Sequence, residues 1–215
     1  MSPRPALLPL KHPLSYLEYS RSEPISYANG ARNGTKSLDL KSSSSLAEPQ
    51  TLEDRVRYLY EHQQITNLLN EYAYVLDVCM VDHVAIEKWV DLFTDDCDVT
   101  YPFGNHKGKE GLAKWAMNAE TRFFRMLHAS SNFAITFDPY AENVAYARTA
   151  LHAVCGTDEH DLGKTFQEGG YYYWSFRKDD GKGNKWKISY LFLDVNWMSG
   201  DSLGLNDPGA ADSEP

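Results

Sequence analysis

The sequence predicts an α+β fold: a cone-shaped α+β barrel in which helices pack on a strongly curved mixed or antiparallel sheet. Three observations carry this. Apolar residues recur at helical spacing from residue 51 to about residue 123. From His128 onward the period becomes that of strands, near residues 131 to 138, 143 to 155, 166 to 178 and 185 to 197. The segments between them, "DPYAEN", "GTDEHDLG" and "DDGKGN", are rich in the residues that turns need. Helices grouped first and a strand meander grouped last is the α+β pattern, and a sheet bent around a long first helix leaves a mostly apolar cone between them.

The elements follow in order. Thr51 opens a capping box, "TLED", with Asp54 in the place usually held by Glu or Gln, so a helix starts there. Ile65, Leu68, Leu69, Tyr72 and Leu76 form one stripe that ends at Asp77, and Tyr72 is expected to face the interior. A second helix is predicted to bury Ile86, Trp89, Val90 and Phe93; "DVTYPF" reads as a short strand, and "GNHKGKEG" as a turn into a third helix through Leu112, Trp115 and Phe123. In the third long strand Tyr171 and Tyr173 are expected to line the cone. Tyr172, Trp174 and Phe176 are expected on the outer face, where three large rings would be covered by a second copy of the chain in a dimer or trimer. Leu191, Leu193 and Val195 share one face of the last strand, as generic core or as pocket wall.

Composition narrows the function classes. Residues 1 to 50 lack hydrophobic periodicity, abound in Pro, Ser and Gly, and read as a disordered extension; residues 51 to 200 form the domain, and 201 to 215 a flexible tail. With six Lys/Arg against four Asp/Glu in the first 50 residues, the net charge of -9 leaves -11 for the rest. A domain this acidic argues against nucleic acid. No apolar run of about 18 residues is present to span a membrane, and "MSPRPALLPLKHPL" is a poor secretory signal. Three cysteines without a CxxC pair fit a reducing compartment, so a cytoplasmic location is expected. "DEHD" at 158 to 161 reads as a solvated loop and "GKGNK" lacks the ending of a P-loop, so neither a metal nor a cofactor is expected.

Taken together and in order, "EYAYVLD", "LFTDDCDVTYPFG", "GKEGLAKW", "LHASSNF", "EGGYYYWSFRKDD" and "KWKISYLFLDVNW" resemble the SnoaL-like and scytalone dehydratase-like branch of the nuclear-transport-factor-like superfamily, over about residues 52 to 200. That superfamily hosts dehydratases, isomerases, cyclases, hydrolases and noncatalytic binders. The resemblance implies a catalytic aspartate at the end of the first helix, Asp77, and a catalytic histidine before the first long strand, His128. It also implies a tyrosine at Tyr101. A second histidine of the family pattern falls near Val154, with His152 two residues earlier on the same strand face. The chain departs from the pattern at Leu76, where the family has tyrosine, and at Gly169 and Tyr171, where it has serine and asparagine; scytalone itself is therefore disfavoured as substrate.

An Asp–His core of this kind moves protons: a histidine held in one tautomer by a carboxylate takes a proton from carbon next to a carbonyl, and Tyr101 holds the enolate oxygen. The implied activity is that of a cofactor-independent dehydratase, isomerase or cyclase acting on a small, apolar, oxygenated ring such as a polyketide or terpenoid. Tyr72, Tyr171, Leu191, Leu193 and Val195 are the candidate substrate contacts. Without the resemblance, Asp77 reads equally as a solvated carboxylate and His128 as a boundary histidine bonded to backbone. A noncatalytic binding module of the same fold is the alternative.

Overall fold

The computed structural model describes residues 49, 51–82, 84–178 and 183–205. The expected N-terminal extension, Pro49 apart, and the tail beyond residue 205 lie outside them. Three helices, α1 (Leu52–Val78), α2 (Ala85–Asp91) and α3 (Leu112–Glu120), accompany six strands: β1 (Phe93–Tyr101), β2 (Gly104–Lys107), β3 (Arg125–Phe137), β4 (Val144–Gly156), β5 (Thr165–Lys178) and β6 (Trp186–Ser199). The sheet runs β2-β1-β6-β5-β4-β3. Every pair is antiparallel except β1 and β6, so the sheet is mixed and open, with β2 and β3 at its edges. None of the described helices is long and apolar enough to cross a membrane.

Helix α1 begins where its cap requires. The Thr51 hydroxyl accepts the backbone N–H of Asp54 at 3.1 Å, and the Asp54 carboxylate accepts the Thr51 hydroxyl at 2.7 Å. Its buried stripe, Ile65, Leu69, Tyr72, Ala73, Val75 and Leu76, lies against the concave face of the sheet. That face carries Ala145, Ala147, Thr149, Leu151, Ala153 and Cys155 from β4 and Phe166, Tyr172, Trp174 and Phe176 from β5. The only polar residue fully buried among the described ones, Thr149, accepts the indole N–H of Trp174 at 3.1 Å.

Several boundaries differ from the sequence reading. Phe93 continues the helical spacing of Ile86 and Trp89, but α2 stops at Asp91 and Phe93 opens β1. The stretch read as a plain turn contains β2. Strand β3 starts at Arg125, so His128 lies inside an edge strand rather than at a helix–strand boundary. Phe123 follows α3 instead of belonging to it. Residues 201–205 are not frayed: Leu205 is buried, and the carbonyl of Leu203 accepts from the Arg122 guanidinium at 3.1 Å.

The parity of β5 is the main correction. Tyr172, Trp174 and Phe176 are buried beneath α1, not outward, and Tyr171 and Tyr173 take the outer face, where Arg148 sits 5.6 Å over the Tyr171 ring. Phe166 shares the parity of the buried set, while Gln167 and Arg177 share that of Tyr171. Burying the set that holds Phe166, Tyr172, Trp174 and Phe176 leaves Gln167 and Arg177 in water, with Glu168 the carboxyl group carried inward among the rings. The same rule corrects His152. It is exposed on the outer face of β4, beside the Trp197 ring at 5.4 Å, because the inward positions alternate with it. Gly169 lies between His152 and Trp197 in register, and a Cβ there would meet the indole at 2.4 Å.

Candidate functional site

Two sequence-predicted residues from distant parts of the chain meet at the mouth of the cone. Asp77 is the penultimate residue of α1, and His128 points inward from β3. His128 Nδ1 lies 2.7 Å from Asp77 Oδ1, and the backbone N–H of His128 donates to Oδ1 at 2.9 Å and Oδ2 at 3.1 Å. An edge strand leaves N–H groups without a strand partner, and the Asp77 carboxylate takes this one. Because a carboxylate only accepts, Nδ1 carries the proton in that bond, and Nε2 is the nitrogen left for a substrate. The two side chains are 9% and 15% exposed, enough for a ligand to reach but well shielded from bulk water.

Two carboxyl groups that the sequence reading missed share this interior. Glu168 lies on β5 in the cross-strand row His128–Ala153–Glu168, where the small Ala153 leaves the concave face open between the two longer side chains. Glu120 closes α3, whose last turn contains no basic residue. Burial pushes the Glu120 carboxyl up from 4.5 to about 7; His128 pulls it down, and Glu168 and Asp77 push it further up. Burial also raises Glu168, which His128 draws back. For His128, burial alone would lower the imidazole. The hydrogen bond to Asp77 and the negative fields of Glu120, Asp77 and Glu168 outweigh it, so the net direction is upward. A signal for Glu120 did exist in the sequence: a glutamate at a helix C-terminus opposes the helix dipole.

Deeper in the cone lie three tyrosines. The hydroxyls of Tyr72 and Tyr101 are in direct short contact, and the Tyr172 ring packs 5.9 Å from Tyr72 and 6.4 Å from Tyr101. Burial raises all three phenols well above their ordinary value, so they stay protonated and act as hydrogen-bond groups. Tyr72 precedes Leu76 by one helical turn, so α1 still presents a tyrosine on the buried face despite the leucine at 76. Of the remaining candidates, Leu191 and Leu193 are buried core and Val195 packs half-buried beside them on the inner face. Tyr171 and His152 are turned away from the cone, as are Gly169 and Tyr171 as stand-ins for the family's serine and asparagine.

A groove of about 710 Å³ opens elsewhere, lined by Tyr58, Glu61, Phe137, Lys178 and Trp186 among others. Phe137 is nine residues along β3 from His128, or about 30 Å at strand rise. Its central charged groups are matched: Glu61 pairs with Lys178 Nζ at 2.5 Å and accepts the Trp186 indole N–H at 2.6 Å. The Asp77–His128 pair lies at the opposite end of β3 from this groove. Among the described residues no group of three or more His, Cys, Asp or Glu could hold a metal ion. Asp158 of "DEHD" instead caps its own loop, accepting the backbone N–H groups of His160 and Asp161 and pairing with Lys164.

An open α+β cone with an aspartate–histidine pair inside its mouth is the class of protein that fold and site define. The chain belongs to the SnoaL-like domain family, whose model matches residues 57–191. No curated protein matches it. Among solved structures, it is similar to a candidate scytalone dehydratase from Novosphingobium aromaticivorans, with 24% identity, a TM-score of 0.57, and 68% of this chain and 91% of that one covered. It is also similar to the hexachlorocyclohexane dehydrochlorinase LinA-type3 from Novosphingobium barchaimii, with 17% identity, a TM-score of 0.57, and 68% and 94% covered. At these identities the likeness is one of fold.

Proposed function

We propose that this chain is a cofactor-independent acid/base enzyme, a dehydratase, isomerase or cyclase of secondary metabolism, acting on a small apolar oxygenated ring such as a polyketide or terpenoid. The observation that carries the proposal is the double grip of Asp77 on His128, through ring and backbone at once. That grip fixes the tautomer and orientation of the imidazole, which is what a residue removing a proton from carbon needs. His128 Nε2 takes the proton next to a carbonyl, and Asp77 stabilises the imidazolium that forms. The Tyr72–Tyr101 pair supplies hydroxyl donors for the developing enolate oxygen, in an interior where such donors count for more than in water. The lining of aromatic rings and Leu193 suits an apolar ring. Self-association belongs to the same reading, through the outer-face rings Tyr171, Tyr173, Phe192 and Trp197 in place of the buried set.

The test is loss of water from β-hydroxytetralone, a cyclic β-hydroxy ketone fused to an aromatic ring. His128→Ala and Asp77→Asn should each lower turnover by about 10²-fold, as general acid–base groups do. The double variant should lose little more than the worse single one. An undiminished His128→Ala enzyme would return His128 to a structural role. A binding module would hold the ketone without converting it.

A further inference from the structure

We propose that Glu120 is the proton donor that complements His128: the carboxyl group that protonates the departing oxygen while the imidazole removes a proton from carbon. This rests on the acid/base reading above. Elimination of water needs both events, since hydroxide is a poor leaving group, and the Asp77–His128 pair supplies only the base.

The geometry selects Glu120. Glu120 lies one helical turn after the buried Ala116 and directly after the buried Ala119, and Phe123, three residues on, stacks at 5.9 Å on Phe166, two residues from Glu168 along β5. Glu168 in turn shares a cross-strand row with His128, which Asp77 holds from α1. Asp77 is committed to His128 by both of its oxygens. Glu120 sits at the C-terminus of α3, where the negative end of the helix dipole disfavours a second negative charge and favours the acid form. The other titratable groups acting on it or bordering the same interior are Glu168, Cys79, Cys155 and the phenols of Tyr72, Tyr101 and Tyr172. None is a cation. His128 is the positively charged partner that acts on Glu120. Burial agrees in direction, leaving the carboxyl protonated up to about pH 7.

The step balances within the chain's own groups. His128 Nε2 takes the proton from carbon, the C–H electron pair becomes the new C=C bond through the enolate, and the C–O bond breaks as its oxygen receives the Glu120 proton and leaves as water. The imidazolium then returns its proton to the Glu120 carboxylate, directly or through that water. No oxidant or further reactant enters.

Two probes with different leaving groups test this. β-Hydroxytetralone expels hydroxide and needs an acid; nitrobenzisoxazole, on loss of its C–H proton, expels a nitrophenolate oxygen that needs none. Near pH 7, where Glu120 still carries its proton, Glu120→Gln should slow the first by about 10²-fold and leave the second no slower than in the parent. Glu120→Asp should recover part of the first. Equal losses on both probes would make Glu120 a structural residue, and no loss on either would make it dispensable; both overturn the proposal. His128→Ala, which should abolish both reactions, reports separately on the underlying reading. A substrate-free arm uses nuclear magnetic resonance of the His128 imidazole in the full chain: Glu120→Gln should lower its titration midpoint, and an unchanged midpoint overturns the proposal whatever the turnover.

Discussion

Replacing Glu120 by Gln should stabilise the protein, increasingly above about pH 4.5 and in full above about pH 7. In the fold, burial raises this carboxyl from 4.5 to about 7. At about 1.4 kcal/mol for each tenfold change in proton affinity, that corresponds to about 3 kcal/mol between the protonated and ionised forms. The sign follows from linkage. A folded value raised above the unfolded one contributes stability that is fully present below about pH 4.5 and is lost as pH rises through about 7. Gln keeps the shape and never ionises. The variant should therefore be about 3 kcal/mol more stable than the parent near pH 9 and nearly equal to it near pH 4. His128 does not reverse this, because its pull on the carboxyl is already contained in the value of about 7. Urea unfolding followed by tryptophan fluorescence is the assay. With a slope of about 2 kcal/mol per molar, the midpoint of the variant should lie about 1 to 2 M higher at the alkaline pH. A variant no more stable than the parent at pH 9, or stabilised equally at both pH values, would refute a buried, reluctantly ionised Glu120.

Asp77→Asn should lower the imidazole titration midpoint and destabilise the fold by about 1–3 kcal/mol, the cost of weakening bonds to a charged acceptor. Because the folded His128 value is raised, this cost should be larger near pH 6 than near pH 9, as paired urea titrations would show. Glu61→Ala leaves Lys178, 12% exposed, and the Trp186 indole without their acceptor, and should cost about 2–4 kcal/mol by calorimetry; Glu61→Leu with Lys178→Met should recover most of it. His152→Ala should leave β-hydroxytetralone turnover within about twofold, since no group on the outer face reaches the proton path.

How much of this was legible in the sequence depends on which rule decides each position. The α1 cap and stripe were readable because Thr51 and the 3.6-residue period are local signals. The Asp77–His128 pair was legible through family resemblance; nothing in the local spacing brings residues 77 and 128 together. Parity in β5 was misread because both faces carry aromatic rings, Tyr171 and Tyr173 against Tyr172 and Trp174, and because Glu168 falls in the inward set, so only Phe166 and Arg177 near the ends of the strand reveal which set is the more apolar. His152 was drawn in by alignment to a strand position whose face had not been fixed independently. The end of α2 was obscured because Phe93 satisfies both helical continuation and the start of a buried strand. Glu120 drew no reading from the sequence, because the helix was expected to run on to Phe123, and its place opposite the dipole shows only once α3 is seen to end at residue 120.

The proton inventory leads to a pH profile that neither residue would give alone. The productive form has His128 neutral and Glu120 protonated, one proton on the pair. With two protons the base is blocked, and with none the acid is spent. An imidazolium facing a carboxylate holds the same single proton, so pH controls only how many protons the pair carries, and the internal balance between the two sites sets the fraction that is productive. Burial holds Glu120 up to about 7 and its carboxylate neighbours raise His128, so turnover should trace a bell whose two limbs belong to the pair. Glu120→Gln should remove the alkaline limb, because no acid is left to ionise. It should also move the acid limb to lower pH, because the imidazole loses one of the negative charges that raise it. Rates of β-hydroxytetralone dehydration across pH would show both changes in a single variant. An alkaline limb that persists in Glu120→Gln would assign the acid to another group of the interior, with Tyr101 the first to replace.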